Sequence, residues 1–412
     1  MLFGAGYSCS GMANSIVVKN GMLYHLGARV TALTDVISVV VEGRDVLALT
    51  REGHVYRAAL WGSGGPDYDP PPYLPVTYMP ERRVHSVFDP VPVYEIAMGW
   101  DHIIACLDNG MVVGAGNNQL GCLAEPQRTR AYEYRGNMSL ISGGSLEGIS
   151  VVGVAAGENS SGAIDAAGGV HLCGGNYDMQ LGLGHTQPCH AWTQSTVLSA
   201  VATLSVGAHG AAVTADGDLW TWGSNWCGQL GHGDTTARAT PERVGGLADK
   251  VLSAACGASH TLFVSKSHDV FSAGQCSDPV VELDNTVFTV VDGLPKMAQV
   301  AVSDLRCAAL SRDGRVFEWG YRGGGFGPAP VLQLPHAVPM PPTMQCAGVS
   351  LAAQPRRTTW MHGHAVVFAM VAHRRLGAAS AYSGLSTDLV DHVLWICGLS
   401  ESLSMRRRRG VW

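Results

Sequence analysis

The stretch His209-Gly-Ala-Ala-Val-Thr-Ala-Asp216-Gly217-Asp-Leu-Trp220-Thr-Trp222-Gly223-Ser-Asn225-Trp-Cys-Gly228-Gln229-Leu230-Gly231 decides the fold. It opens on a short apolar run, turns at Asp216-Gly217, returns through Leu219-Trp220-Thr221-Trp222 and ends in a Gly-rich loop. Side chains two apart on a strand share a face, so the two indoles are expected on one side. Asp-Gly suits a two-residue type I′ hairpin, in which both central residues need positive φ.

The same unit recurs along the chain, with hairpin tips at Gly53, Gly110, Gly168, Gly217, His268, Gly314 and Gly363, at intervals of 57, 58, 49, 51, 46 and 49 residues. A period of this size marks stacked supersecondary units rather than unrelated domains. Two more hairpin-like pieces lie at the ends, Asn14–Gly27 with its turn at Asn20-Gly21, and Ala378–Gly398. Each stands about 30 residues from the nearest tip, half a unit, as expected if the two termini share one closing unit. No helical periodicity competes, so the chain reads as all-β.

Composition narrows the function classes. The 412 residues include 52 Gly and 20 Pro; 46% are hydrophobic and only 15% charged, where ~25% charged is usual. Mean hydropathy is +0.12. Two readings of the low charge stand side by side: a surface covered by partners, or a turn-rich β-fold that needs few charges. No apolar run reaches the ~18 residues of a spanning helix, so none is expected. A net charge of −6 and a pI near 6.2 speak against nucleic-acid binding by the molecule as a whole. The 11 Cys form no Cys-x-x-Cys pair, and an odd number fits a reduced interior better than a disulfide frame.

Motifs for chemistry are sparse. His185…Cys189-His190 and His362-Gly-His364 are the tight His/Cys groupings, and neither has metal-ligand spacing. Gly4-Ala-Gly6 and Gly114-Ala-Gly116 do not extend to a dinucleotide fingerprint, and there is no phosphate-binding loop and no Gly-x-Ser-x-Gly elbow. Asp108, Asp216 and Asp313 sit at hairpin tips, where Asp serves turn backbone. No catalytic residue, metal or cofactor is therefore expected. Trp100, Trp220, Trp222 and Trp319 are expected in packing between units. Arg406, Arg407, Arg408 and Arg409 form the sharpest charge feature, a candidate contact for an acidic partner, tubulin or nucleic acid, or else a solvated tail.

Residues 204–247 carry Gly207-x-x-Gly210, Asp216-Gly217, Trp220-x-Trp222-Gly223-x-Asn225, Gly228-Gln229-Leu230-Gly231-x-Gly233-Asp234 and Pro241-x-x-Val244. This pattern resembles the regulator of chromosome condensation repeat. Echoes occur at Asn117-Asn118-Gln119-Leu120-Gly121, at Gln180-Leu181-Gly182-x-Gly184 and at Gly257-x-x-His260. The resemblance implies a seven-bladed propeller of four-stranded blades, closed by pairing of the N- and C-terminal segments, with an eighth blade left open. One propeller domain would span 1–405, with Pro-rich insertions near 63–92 and 328–342 and a basic tail at 406–412. Its structural positions would be Gly53, Gly110, Gly168, Gly217, Trp220, Trp222, Gly223, Gly231, Gly257, Gly314, Trp319, Gly320 and Gly363. Gly99-Trp100-Asp101-His102 is similar to a Gly-Trp-Arg-His motif of ultraviolet photoreceptors in that family, but Asp101 replaces Arg and the motif occurs once.

The function expected is that of a non-catalytic scaffold for protein-protein contacts within a multi-subunit assembly. The favoured setting is cytoplasmic, at the cytoskeleton or cilium, with nucleus and mitochondrion open. The alternative is guanine-nucleotide exchange on a Ran-like small GTPase, with the insertion Cys122–Ser150 and its Glu125, Glu133 and Glu147 as the wedge by position.

Overall fold

Short apolar runs separated by Gly-containing turns build antiparallel sheets in chain order. The computed structural model describes residues 2–337 except 7–13, 20–21, 26–27, 30–34, 43–44, 62–76, 79–81, 84–90, 125–137, 142, 275–284, 303–305 and 323–330. The chain separates into two units, Met1–Pro355 and Arg356–Trp412, and all described residues belong to the first.

Six sheets have four strands each. The first comprises Leu2–Gly6, Asn14–Lys19, Met22–His25 and Ala28–Arg29. The others begin at Val93–Met98, Val151–Ala156, Val201–Val206, Val251–Cys256 and Met297–Val302, and each continues outward strand by strand. A further sheet of Val36–Glu42, Asp45–Thr50 and Val55–Trp61 is completed by Thr77–Tyr78 and Arg82–Arg83, both paired to Val55–Trp61. First strands of successive sheets pack side by side, and Met297–Val302 lies beside Leu2–Gly6. This is an all-β propeller; a single 3-10 turn, Gly144–Leu146, is the one helical element among the described residues.

The N-terminal piece is a larger element than the sequence suggests. Asn14–Gly27 is not half of a shared unit but the middle of a complete four-stranded sheet drawn from residues 2–29. Leu2-Phe-Gly-Ala-Gly6 pairs in register with Asn14–Lys19 although its two Gly hide any alternation. Ala378–Gly398, expected to supply the closing partner, lies outside the described residues, as do Gly363 and Arg406–Arg409.

Segments between the hairpin units hold the outermost strands. Ser139–Leu140 lies within Cys122–Ser150, Thr289–Val290 within 277–296, and Val331–Ala337 within 328–342. Pro335 occupies such an edge strand, where a missing N–H costs no ladder bond. Two-residue strands are too short for any periodicity to register.

The hairpin tips use a different turn from the one their sequences suggest. Leu107 N donates to Met111 O and Gly110 N to Leu107 O, and the same pair of bonds recurs at Thr50, Asp165, Thr214, Ser265 and Ser311. This is a three-residue loop: a type I turn followed by one left-handed residue. Only the third loop residue has positive φ: Gly53 (84°), Gly110 (84°), Gly168 (82°), Gly217 (83°), His268 (67°) and Gly314 (86°). Asn109 and Asp216 stay right-handed, which a type I′ turn would forbid.

The core lies between sheets, not inside them. Ile104, Cys106, Val151, Ala163 and Trp192 form one inter-sheet cluster, and Leu172, Leu181, Val206 and Trp222 the next. Each fully buried aliphatic side chain contributes roughly 1.5–3 kcal/mol. Trp222 Nε1 donates to Gln180 O at 2.8 Å, so one ring satisfies its polar atom and fills the gap between sheets. Gly210 makes room for it: a Cβ there would stand 2.2 Å from Trp222 Cε2.

Candidate interaction face

Antiparallel order places two kinds of loop at one end of the sheets. Loops joining first to second strands, such as Gly99–Asp101 and Gly157–Asn159, open on the same side as the loops leaving the third strands, such as Gly175–Pro188 and Ser224–Ala237. The hairpin tips and the links between sheets occupy the other end.

An Asn holds each of three third-strand loops, buried in two of them. Oδ1 of Asn118, Asn176 and Asn225 accepts from the backbone N of Leu123, Leu181 and Leu230, at 2.8, 2.9 and 2.9 Å. Asn225 Nδ2 donates to Asp234 O at 2.9 Å and Thr236 O at 3.0 Å, and Asn176 Nδ2 to His185 O at 2.6 Å. Gln180 and Gln229 then accept the backbone N–H of Asp178 and Cys227, both at 2.9 Å. So braced, the residue after each Asn is turned outward: Gln119, Tyr177 (64% exposed) and Trp226 (83% exposed).

Trp100, on a first loop of the same side, is 48% exposed. It therefore does not pack between sheets as expected; its place on the Gly99–Asp101 loop takes it off the strand. Trp222 and Trp319 are buried, and Trp220 is half-buried against the Trp222 cluster. Gly223 (φ 95°) and Gly231 (φ 76°) lie in and beside the loop that Asn225 holds, Gly257 N donates to His260 O at 2.9 Å, and Gly320 pairs with Gln333 on the edge strand.

The two ends differ in charge. Asp101, Glu158 and Asp178 lie on the aromatic side, and the described residues of its loops include no Lys or Arg. Arg238, beside them, is engaged by Asp234 at 2.8 Å and Glu242 at 2.7 Å. At the hairpin end charges neutralise one another: Asp218 with Lys250 and Arg243, Lys296 with Asp269, Arg315 with Asp313.

Directly beneath the aromatic side, second strands are linked from sheet to sheet. His102 Nε2 lies 2.9 Å from Ser161 Oγ, His209 Nε2 2.6 Å from Thr261 Oγ1, and His260 Nε2 3.2 Å from Cys307 Sγ. Burial pushes His102 down to about 4, and burial with the nearby His260 pushes His209 down to about 3, so His102 and His209 are neutral structural links. Among the described residues no cluster of three or more His, Cys, Asp or Glu could hold a metal ion, and no helix is long and apolar enough to cross a membrane.

Within the insertion Cys122–Ser150, Ser139–Leu140 pairs as the outermost strand of its sheet, which puts Glu147 on the hairpin side; Glu125 and Glu133 lie outside the described residues.

Comparison with known proteins meets this geometry. The Regulator of chromosome condensation (RCC1) repeat matches residues 216–264, and again 93–122. The chain carries RCC1 repeats in an RCC1-like propeller. Ultraviolet-B receptor UVR8 of Arabidopsis thaliana is 30% identical over 254 residues, 58% of this chain and 56% of that protein. The X-linked retinitis pigmentosa GTPase regulator homolog of Caenorhabditis elegans is 30% identical over 167 residues, 38% of this chain and 12% of that one. The chain thus spans little more than half of one curated relative and a small part of the other. The crystal structure of human WBSCR16 superposes with a TM-score of 0.63 at 22% identity, over 78% of this chain and 85% of that one, a likeness of fold. The RCC1 pattern locates the buried Asn and Leu of the loops after Gly174 and Gly223, but in the preceding sheet the partner of Asn118 is Leu123 and not Leu120 of the sequence echo; Tyr177 and Trp226 fall in the variable slot, and sequence reasoning passed over them.

Proposed function

We propose that this RCC1-like propeller is a scaffold that binds protein partners through the side carrying Trp100, Tyr177 and Trp226. The observation that carries the proposal is the exposure of Tyr177 and Trp226 at equivalent positions of adjacent sheets, each on a loop braced from within. Aromatic side chains held rigidly in water are what protein interfaces select, because they bury much area at little entropic cost. A ring of seven blades, with the five-stranded sheet as one and Met297–Val302 against Leu2–Gly6 as the closing contact, would hold those loops on a rigid platform. Membership of a multi-subunit assembly, a cytoskeletal or ciliary setting and partner contact through Arg406–Arg409 belong to the same proposal.

Native purification of the N-terminally tagged chain tests it. Partners recovered in stoichiometric, salt-resistant amounts should be lost from the Tyr177→Ala/Trp226→Ala double variant; unchanged recovery refutes the assignment of this face. The second reading, exchange on a small GTPase, draws on the name of the Caenorhabditis elegans relative. It requires that the chain accelerate nucleotide release and that recovery of the GTPase be lost on adding GTP and Mg²⁺.

A further inference from the structure

At two registers the sheet that begins at Val151 departs from the other described repeats. The residue opposite Ala163 is His171; at the same register the others have Tyr56, Val113, Trp220, Phe271 and Phe317. The residue that opens the hairpin turn is Asp165, where the others have Thr50, Leu107, Thr214, Ser265 and Ser311. Hydroxyls at that place cap the turn: Thr214 Oγ1 accepts from Asp218 N at 3.1 Å, Ser265 Oγ from Asp269 N at 3.2 Å and Ser311 Oγ from Arg315 N at 2.8 Å. Asp165 Oδ1 does the same for Gly169 N at 2.8 Å, which leaves Oδ2 for another task. A buried carboxylate held by a His is commonly no more stabilising than the apolar packing it replaces, so its confinement to one described repeat points beyond stability.

Oδ2 lies 3.0 Å from His171 Nε2, and His171 Nδ1 lies 2.7 Å from Oγ of Ser145, in the 3-10 turn that links this sheet to the preceding one. Burial works against ionisation of Asp165, but bonds from His171, Gly169 and Ala167 outweigh it and hold the carboxyl below its ordinary range. An ionised Asp165 can only accept, so Nε2 carries a proton; in the neutral ring the lone pair is then on Nδ1, facing the Ser145 hydroxyl. His171 and Asp165 are buried, whereas Ser145 is half-buried and stands at the accessible end of the line.

We propose that Ser145 is an activated nucleophile that takes short acyl groups from esters, with His171 as general base and Asp165 as the positioning residue. Nothing packs where a Gly143 side chain would stand, whereas Gly144 lies tight against the Trp192 backbone, so Ser145 has one open flank, room for a small acyl group. Ser145 Oγ bonds to the acyl carbon while its proton passes to His171 Nδ1. The bond to the leaving alcohol then breaks, and the alcohol takes that proton. Water repeats both transfers, releasing the carboxylic acid and restoring the serine.

The test uses the full chain with diisopropyl fluorophosphate, the adduct located by peptide mass spectrometry, and release of p-nitrophenol from p-nitrophenyl acetate. His171→Phe and Asp165→Thr install residues that other repeats carry at these registers, so both should fold, as thermal melting will show. The expected result is an adduct on Ser145 of the wild type, formed about a hundredfold more slowly in both variants, with esterase activity falling in parallel. Asp165→Asn keeps the turn cap and should slow labelling without moving the melting temperature, which a purely structural carboxylate would not do. No adduct on Ser145, or equal labelling in His171→Phe, overturns the proposal and leaves Ser145 as a latch between sheets.

Discussion

His209 Nε2 lies 2.6 Å from Thr261 Oγ1, a contact that joins the second strands of two adjacent sheets across 52 residues of chain. Thr261 Oγ1 donates to Gln229 O at 2.7 Å, so the imidazole must supply the proton between them. Position by position the pattern is complementary: where the next sheet offers Gly210 instead of a hydroxyl, the preceding sheet has Ser160 instead of His.

These rings make stability depend on pH. His102 and His209 are pushed down to about 4 and about 3 in the folded chain and take protons near 6.5 when unfolded. A depressed base contributes stability that is complete above 6.5 and is lost as pH falls through the folded value. At about 1.4 kcal/mol per unit, the loss at pH 4 is on the order of several kcal/mol. Urea midpoints at pH 7, 5.5 and 4 should fall steadily, and His209→Gln should flatten the decline. An equally steep decline in that variant counts against His209 as a source.

Glu95 works in the opposite sense. Its Oε2 accepts from Val154 N of the next sheet at 3.0 Å, yet burial raises it to about 7. A raised acid contributes stability that is complete below 4.5 and is lost as pH rises through 7. Glu95→Gln should therefore gain about 1–3 kcal/mol at pH 8 and nothing at pH 4.5. Equal denaturation curves for the two proteins at pH 8 would show that the carboxyl is well solvated.

Ser160 Oγ is buried without a hydrogen-bond partner. An unpaired buried hydroxyl costs desolvation that methyl does not, so Ser160→Ala should be neutral or stabilising by about 1 kcal/mol. A loss of similar size in thermal melting would mean the hydroxyl is bonded after all.

His268 holds the left-handed turn position that is glycine at the five other described tips. A side chain there costs about 1–2 kcal/mol, offset in part by His268 Nδ1 donating to Met297 O at 2.9 Å. His268→Gly should raise stability by up to about 1 kcal/mol, read as a higher melting temperature. A lower one would show that the bond outweighs the strain.

Local patterns in the sequence carry the tips and the outward order of strands. Asp216-Gly217 and Asn109-Gly110 mark their hairpins because a left-handed residue is needed at each, although the loop proved one residue longer than the dipeptide suggests. Leu2–Gly6 and Ser139–Leu140 escaped notice, one for its glycines and the other for its length. Trp100 was misjudged because a tryptophan beside Gly99 reads like the indoles of the strands, and only the loop it occupies puts it in water.

What the sequence by itself determined is the repeat: its period, its turn residues and the alternation that sends Trp220 and Trp222 to one face. These follow from backbone sterics and burial within a few residues of each position. The tertiary structure decided which distant residues meet, His209 with Thr261 and Ser145 with His171, and which aromatic side chains stay in solvent. Those contacts arise where one sheet packs against the next, at separations set by the ring of first strands, and no local periodicity encodes them.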